Sequence, residues 1–227
     1  MIIAIDGPAG SGKSSTARAV ARRLGFRHLD SGAFYRALTY AALRRGIPSE
    51  RWPELDAAAL DALGVTARRG DGGDRFFLDG TDITGEIRSA EVNAHVSQMA
   101  RIPAVRHWLL DRLRDAGRHD DLVADGRDMG TVVFPDAELK VFLIADPEVR
   151  ARRRLAEHGI TDPDPDQLAA EVERLRTRDR MDAERETAPL RQAPDAVVVD
   201  TSNLTFDAQV ERIVRLAESR MHGEVGR

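Results

Sequence analysis

At 227 residues the chain is long enough for one sizeable core with at most a small subdomain inserted in it. A hydrophobic share of 42%, a charged share of 32% and a formal net charge of -4 describe a globular protein without the basic field of a nucleic-acid binder. Cysteine is absent, which excludes disulfides and thiolate chemistry; with no signal-like start and no apolar run of membrane-spanning length, a cytoplasmic setting is expected.

Ile2 to Ile5 is a short apolar run ended by Asp6-Gly7, the pattern of a buried parallel strand. Helical spacing runs from Ser14 to Leu24, with Gly25 as the stop. Phe26 to Leu29 predicts a second strand, and Asp30-Ser31-Gly32 caps a helix through Phe34, Leu38 and Ala41. Val65 to Arg69 and Arg75 to Leu78 flank Gly70-Asp71-Gly72-Gly73-Asp74 and predict a hairpin, after which Asp79-Gly80-Thr81-Asp82 reads as another turn. This β pattern marks an insert over about 55–95, between core segments 1–54 and 96–227. Helical character returns from Glu91 to Met99, and again after Pro103 along Val105, Leu109, Leu110 and Leu113. Leu122 to Ala124, Val141 to Ile144 and Ala196 to Val199 are further buried strands. Between the last two, Glu148 to Arg185 is charged and helical, broken at Asp162-Pro163-Asp164-Pro165, and is not expected to be core. Strand, glycine turn, helix, strand is the opening of an α/β fold with a parallel sheet.

Gly7-Pro8-Ala9-Gly10-Ser11-Gly12-Lys13-Ser14 fits the P-loop pattern, directly after a strand and directly before a helix. Glycines let successive N–H groups turn inward on phosphate oxygens, and the helix adds its positive end. Lys13 can reach the β- and γ-phosphates, and Ser14 can ligate magnesium. Only two of the 34 basic residues are lysines, Lys13 and Lys140, so a lysine at this point of an arginine-rich chain asks for a reason. The motif by itself says only that a nucleoside triphosphate binds.

Three further places are candidates for an acceptor site. Arg36, in the helix opened by Asp30, is either a solvated arginine or one aimed at the phosphate-binding edge of the sheet. Asp125, at the carboxyl end of a strand, is the expected second magnesium-side group, and Arg127 and Asp128 follow on a glycine-bounded loop that could equally be a plain turn. Arg178, Asp182 and Arg185 share one helix face by spacing, yet such a charged face is ordinarily solvated. His28, His95 and His107 have no metal spacing and read as structural or surface groups.

Together GPAGSGKSS at 7–15, LDSGAFYR at 29–36, LDGTDITGEIR at 78–88, ADGRDMGTVVFPDA at 124–137 and RDRMDAERETAPL at 178–190 resemble the bacterial cytidylate kinase family over nearly the whole chain. The resemblance implies a P-loop parallel sheet with flanking helices, an α+β monophosphate-binding insert and a mobile lid within about 150–185. It implies transfer from ATP to CMP or dCMP, with magnesium as cofactor at Ser14 and Asp125. ATP would lie on Gly7 through Ser14 and on Ser15. The acceptor phosphate would be gripped by Arg36, Arg127 and Arg185 with Lys13 between the substrates. Cytosine would be read by Ser97, Arg106 and Asp128. The ribose would lie near Arg178 and Asp182, with Ser31 lining the site.

Other readings stay open on sequence. A P-loop switch or regulatory ATPase would need no small acceptor, although no Asn-Lys-x-Asp motif is present. An RNA-binding module on Arg150 to Arg185 is opposed by the interleaved acids. A broader pyrimidine monophosphate kinase is the nearest alternative. Asp200-Thr201-Ser202 is a candidate adenine loop, and nothing calls for more than a monomer.

Overall fold

The computed structural model describes residues 1–70, 73–118 and 120–223. In chain order, β1 (Ile2–Asp6) leads through the glycine loop into α1 (Lys13–Leu24), followed by β2 (Arg27–Asp30) and α2 (Ser31–Arg44). A short 3₁₀ segment, Ser49–Glu54, and α3 (Ala57–Ala62) precede β3 (Val65–Arg68), β4 (Arg75–Leu78) and β5 (Thr81–Asp82). Then come α4 (Ala90–Met99), α5 (Pro103–Ala116), β6 (Leu122–Gly126), a π-helical turn Met129–Val133, and β7 (Leu139–Ile144). The chain closes with α6 (Pro147–Glu157), α7 (Pro165–Ala183), β8 (Val197–Asp200) and α8 (Phe206–Met221).

The five strands β2-β6-β1-β7-β8 form one parallel sheet. β1 sits in its centre with neighbours on both edges and helices on both faces, which is why its sequence is apolar throughout rather than alternating. Ile3 and Ile5 point to the face covered by α1 and α8, where Val20, Val141, Leu143 and Ile213 pack with them. Ala4 points to the opposite face, with Leu29, Leu38, Leu109, Leu113 and Leu122. Gly25, at φ 71°, ends α1, and Asp30 caps α2 by accepting the Ala33 N–H at 3.0 Å. No helix among the described residues is long and apolar enough to cross a membrane.

A second, antiparallel sheet, β3-β4-β5, stands apart. Phe76 packs with Ile83 and Ile87 onto Ala33 and Ala37 of α2, and meets Phe34 edge to face at 4.9 Å. Of the expected 70–74 turn, Asp71 and Gly72 lie outside the described residues. The expected turn at 79–82 is corrected: Thr81–Asp82 pairs with Phe77–Leu78, and only Asp79-Gly80 forms the turn. Both residues have positive φ, 49° and 82°, as a two-residue hairpin turn requires.

The stretch from Glu148 onward also needs a correction. Ala151, Val172 and Leu175 are buried together with Ala9, so α6 and α7 carry a small core of their own directly against the phosphate loop. Charge on the outer faces hid these few apolar positions.

Candidate functional site

The phosphate loop leaves the carboxyl end of β1 at Gly7, where a Cβ would lie 2.2 Å from the Leu143 carbonyl oxygen of the neighbouring strand. Only glycine fits so close a backbone approach. The loop curls until Lys13 Nζ donates to Pro8 O at 3.0 Å. Burial holds the Lys13 ammonium well below its ordinary pKa, and the positive charges of Arg127 and Arg178 add to this. Desolvated in this way, the group is strongly poised for an anion.

Ser14 Oγ donates to Asp125 Oδ2 at 2.5 Å, and the other carboxylate oxygen lies 2.8 Å from His28 Nε2. His28 is buried and holds the Asp125 carboxylate from behind. The donor set, one hydroxyl and one carboxylate, is made of hard oxygens and fits magnesium, which takes its remaining ligands from phosphates and water. Among the described residues, no cluster of three or more acidic or histidine side chains offers a fully protein-made alternative.

These groups form one wall of a cavity of about 530 Å³. Ser31, Arg36, Ser97, Arg106, Arg127, Asp128, Arg178, Asp182 and Arg185 all line it, although they come from α2, α4, α5, the loop after β6, α7 and the segment beyond it. Of the 7–15 segment, Ala9, Gly10, Gly12, Lys13, Ser14 and Ser15 face the cavity, while Gly7, Pro8 and Ser11 lie behind. Arg106 Nη2 donates to Asp128 Oδ2 at 2.5 Å, and Arg185 Nη2 donates to Asp128 Oδ1 at 3.2 Å. Arg127 Nε donates to Asp182 Oδ2 at 2.7 Å. Burial pushes the Asp182 carboxyl up, but the charges of Arg127, Arg178 and Arg185 outweigh it and hold the group below its ordinary value.

Arg178 differs from its neighbours. Its Nε is buried without a hydrogen-bond partner, as are those of Arg106 and Arg150, but unlike theirs its other nitrogens make no hydrogen bond or ion pair among the described residues either. Burial with the repulsion of Arg127 and Arg36 pushes its pKa down to about 9. A guanidinium held at such cost needs an anion. One expectation from spacing is overturned here: α7 ends at Ala183, so Arg185 is not on the helix face of Arg178 and Asp182. It reaches the cavity from the following loop, where its Nε donates to the carbonyl of Ala188, a residue at φ 50°.

The residues matched by the family model "Cytidylate kinase" run from 3 to 219. A cytidylate kinase of Pelodictyon phaeoclathratiforme is 46% identical, with 97% of this chain and 96% of the relative aligned. That of Methylococcus capsulatus is 48% identical, with 96% and 97% aligned. The chain belongs to the cytidylate kinase family. It is accordingly a P-loop phosphotransferase. A crystal structure of an uncharacterized protein from Eubacterium ventriosum, 12% identical, superposes with a TM-score of 0.54 over 96% of this chain and 99% of that one, a likeness of fold alone.

Several groups at or behind the cavity wall of this cytidylate kinase family member gave no signal in the sequence. Arg150 Nη1 donates both to Ala9 O at 2.9 Å and to Asp179 Oδ2 at 2.5 Å, while Asp179 Oδ1 accepts the Ala9 N–H at 2.9 Å. The peptide of Ala9 is thereby clamped between α6 and α7. Arg88, in the segment between β5 and α4, bonds Asp30 Oδ2 at 2.8 Å, and the Asn93 side chain donates to Arg88 O at 2.8 Å and faces Arg36. Arg154 also lines the cavity. The capping position of Asp30 was readable; its second partner was not. Thr201, in the candidate adenine loop, is buried and bonded to Arg153.

Proposed function

We propose that the protein transfers the γ-phosphoryl group of ATP to CMP or dCMP, with preference for cytosine over uracil. The observation that carries the reading is Asp128, buried at the far wall of the cavity with one oxygen on Arg106 and the other on Arg185. Cytosine presents an exocyclic amino donor where uracil presents a carbonyl, so a carboxylate accepts from the first and repels the second. Arg106 and Ser97 supply donors for the ring acceptors. A site of this kind rejects the wrong base because its buried polar groups are left unpaired.

Transfer needs no dedicated base, since a phosphate monoester with a second pKa near 6 is largely dianionic at neutral pH. An oxygen of the acceptor phosphate attacks the γ-phosphorus in line, the bond to the bridging oxygen breaks, and ADP leaves. Lys13, Arg36, Arg127, Arg178 and Arg185 neutralise the repulsion between the two polyanions and stabilise the spreading charge. Magnesium, held by Ser14 and Asp125 with the ATP phosphates, would supply a further positive charge at those oxygens. The 55–95 segment acts as the monophosphate-binding insert, and the stretch within about 150–185, which bears Arg178 and Arg185, as a lid that completes the site and excludes water on closure. A cytoplasmic monomer working on small nucleotides completes the reading, and gel filtration tests its oligomeric part.

ADP release from ATP and magnesium, with CMP, dCMP, UMP, AMP, GMP or no acceptor, tests the proposal. Strong turnover with CMP and dCMP and weak turnover with UMP is expected. Equal rates with UMP would remove the role of Asp128 and leave a broader pyrimidine kinase. Hydrolysis independent of acceptor would sink the transfer reading altogether. Chelation of magnesium is expected to abolish turnover and, separately, to weaken ATP binding.

A further inference from the structure

Asp6 ends β1 one residue before the phosphate loop, yet its side chain does not turn toward that loop. Its Oδ1 accepts the Met129 N–H at 2.9 Å, and its Oδ2 accepts the Gly130 N–H at 2.8 Å. Those two N–H groups open the π-helical turn whose starting residue is Asp128, since the N–H groups of Val132 and Val133 both donate to Asp128 O. At the beginning of such a turn the N–H groups have no partner within it. Asp6 provides the partner from the next strand, where it stands opposite Gly126 in the parallel pairing of β1 with β6.

The arrangement is expensive. Asp6 is 4% exposed, and burial pushes its carboxyl up to about 7 against the pull of the two N–H bonds; Asp128 on the same loop raises it further, and Arg127 lowers it. From β7, the methylenes of Lys140 run beside Gly130 and limit any sideways relief. Asp6 does not line the cavity, so this cost is not incurred for direct contact with a substrate.

We propose that Asp6 is the positioning residue for base selection: by gripping the N–H groups of Met129 and Gly130 it fixes Asp128 between Arg106 and Arg185, and so sets the discrimination between cytosine and uracil. The inference rests on the CMP reading above and assigns part of its specificity to a residue outside the cavity. Displacement of a recognition group by about 1 Å is enough to lose on the order of 10²-fold.

Asp6→Asn places an amide donor against one of the two N–H groups, which cannot then both be satisfied. The CMP KM is expected to rise at least about tenfold and the CMP:UMP ratio of kcat/KM to fall by a similar factor, with the affinity for a non-hydrolysable ATP analogue changed by no more than about twofold. Gly130→Ala is the second variant, for use should Asp6→Asn fail to fold. Its Cβ would sit 3.4 Å from Asp6 Oδ2 and 3.2 Å from Lys140 Cδ, so the Lys140 side chain and the loop must move apart by a few tenths of an ångström, and a smaller change in the same direction is expected. An unchanged CMP:UMP ratio in a folded variant, or equal losses for ATP and CMP, overturns the inference. Absence of CMP-dependent turnover in the unaltered enzyme would instead overturn the reading beneath it.

Discussion

Between Gly7 and Ser15 the chain builds one wall of the cavity from a single contiguous segment, whereas the opposite wall draws single side chains from α2, α4, α5, the loop after β6, α7 and the segment beyond. The first wall depends on backbone: on glycine at Gly7, on the N–H groups of a curled loop, and on one buried lysine. The second depends on ion pairs among arginines and aspartates that are far apart in the chain, such as Arg106 with Asp128 and Arg127 with Asp182. A triphosphate is the same in every nucleotide donor and can be met by a fixed loop. An acceptor must be told from its near relatives, a task that the proposed function gives to side chains that are buried and individually placed.

The difference can be broken at its junction first. Lys13 belongs to the loop and faces the arginines across the cavity, so Lys13→Ala is expected to cost about 10³ in kcat whichever substrate is limiting, measured as ADP release. Next, the two walls can be damaged separately. Gly7→Ala drives a Cβ against Leu143 O and should lower kcat/KM for ATP by about 10², while calorimetric affinity for CMP holds. Asp128→Ala should do the reverse, with ATP affinity kept and the CMP:UMP preference eroded toward parity. Similar losses for both substrates in either variant would erase the distinction between the walls.

The smallest effect is one of stability. Asp6 has an ordinary pKa of 3.8 and is raised to about 7 in the folded chain, chiefly by burial. Between these two values the folded state holds a proton that the unfolded state releases, and above about 7 both carry the carboxylate. This contribution to stability is complete below the ordinary value and is lost as pH rises through about 7, with a slope of at most about 1.4 kcal/mol per pH unit. Asp6→Asn should flatten that decline, and urea unfolding midpoints on both sides of the window check it.

The contrast between the walls also explains what could be read in advance. Apolar runs such as Ile2 to Ile5 and Val141 to Ile144 announce buried parallel strands because a central strand has no polar face. The phosphate loop is legible because its parts are consecutive. Asp128 was a candidate from its glycine-bounded loop and Arg185 from helical spacing, but their roles came through resemblance, since nothing in that spacing says that they meet at 3.2 Å. The helix-face argument misplaced Arg185 because it took α7 to run further than Ala183. Asp179 and Arg150 stayed hidden for a different reason: in a stretch full of acids and arginines, only the fold tells the pair that clamps Ala9 from those in solvent. Asp6 was visible only as the residue that stops a strand.

The cation-rich wall has a temporal consequence. In the resting molecule Arg127 already leans on Asp182, and Arg106 and Arg185 lean on Asp128. An arriving nucleotide exchanges one partner for another instead of stripping bare guanidinium groups, and a departing one leaves behind groups that find each other again. Arg178 is the exception on this wall, with no partner among the described residues to give up, so under the proposed roles an incoming anion would exchange partners at Arg127, Arg106 and Arg185 and supply the missing one at Arg178. For an enzyme whose product resembles its substrate, self-paired arginines would ease release, and the lone Arg178 would hold on to the anion longest.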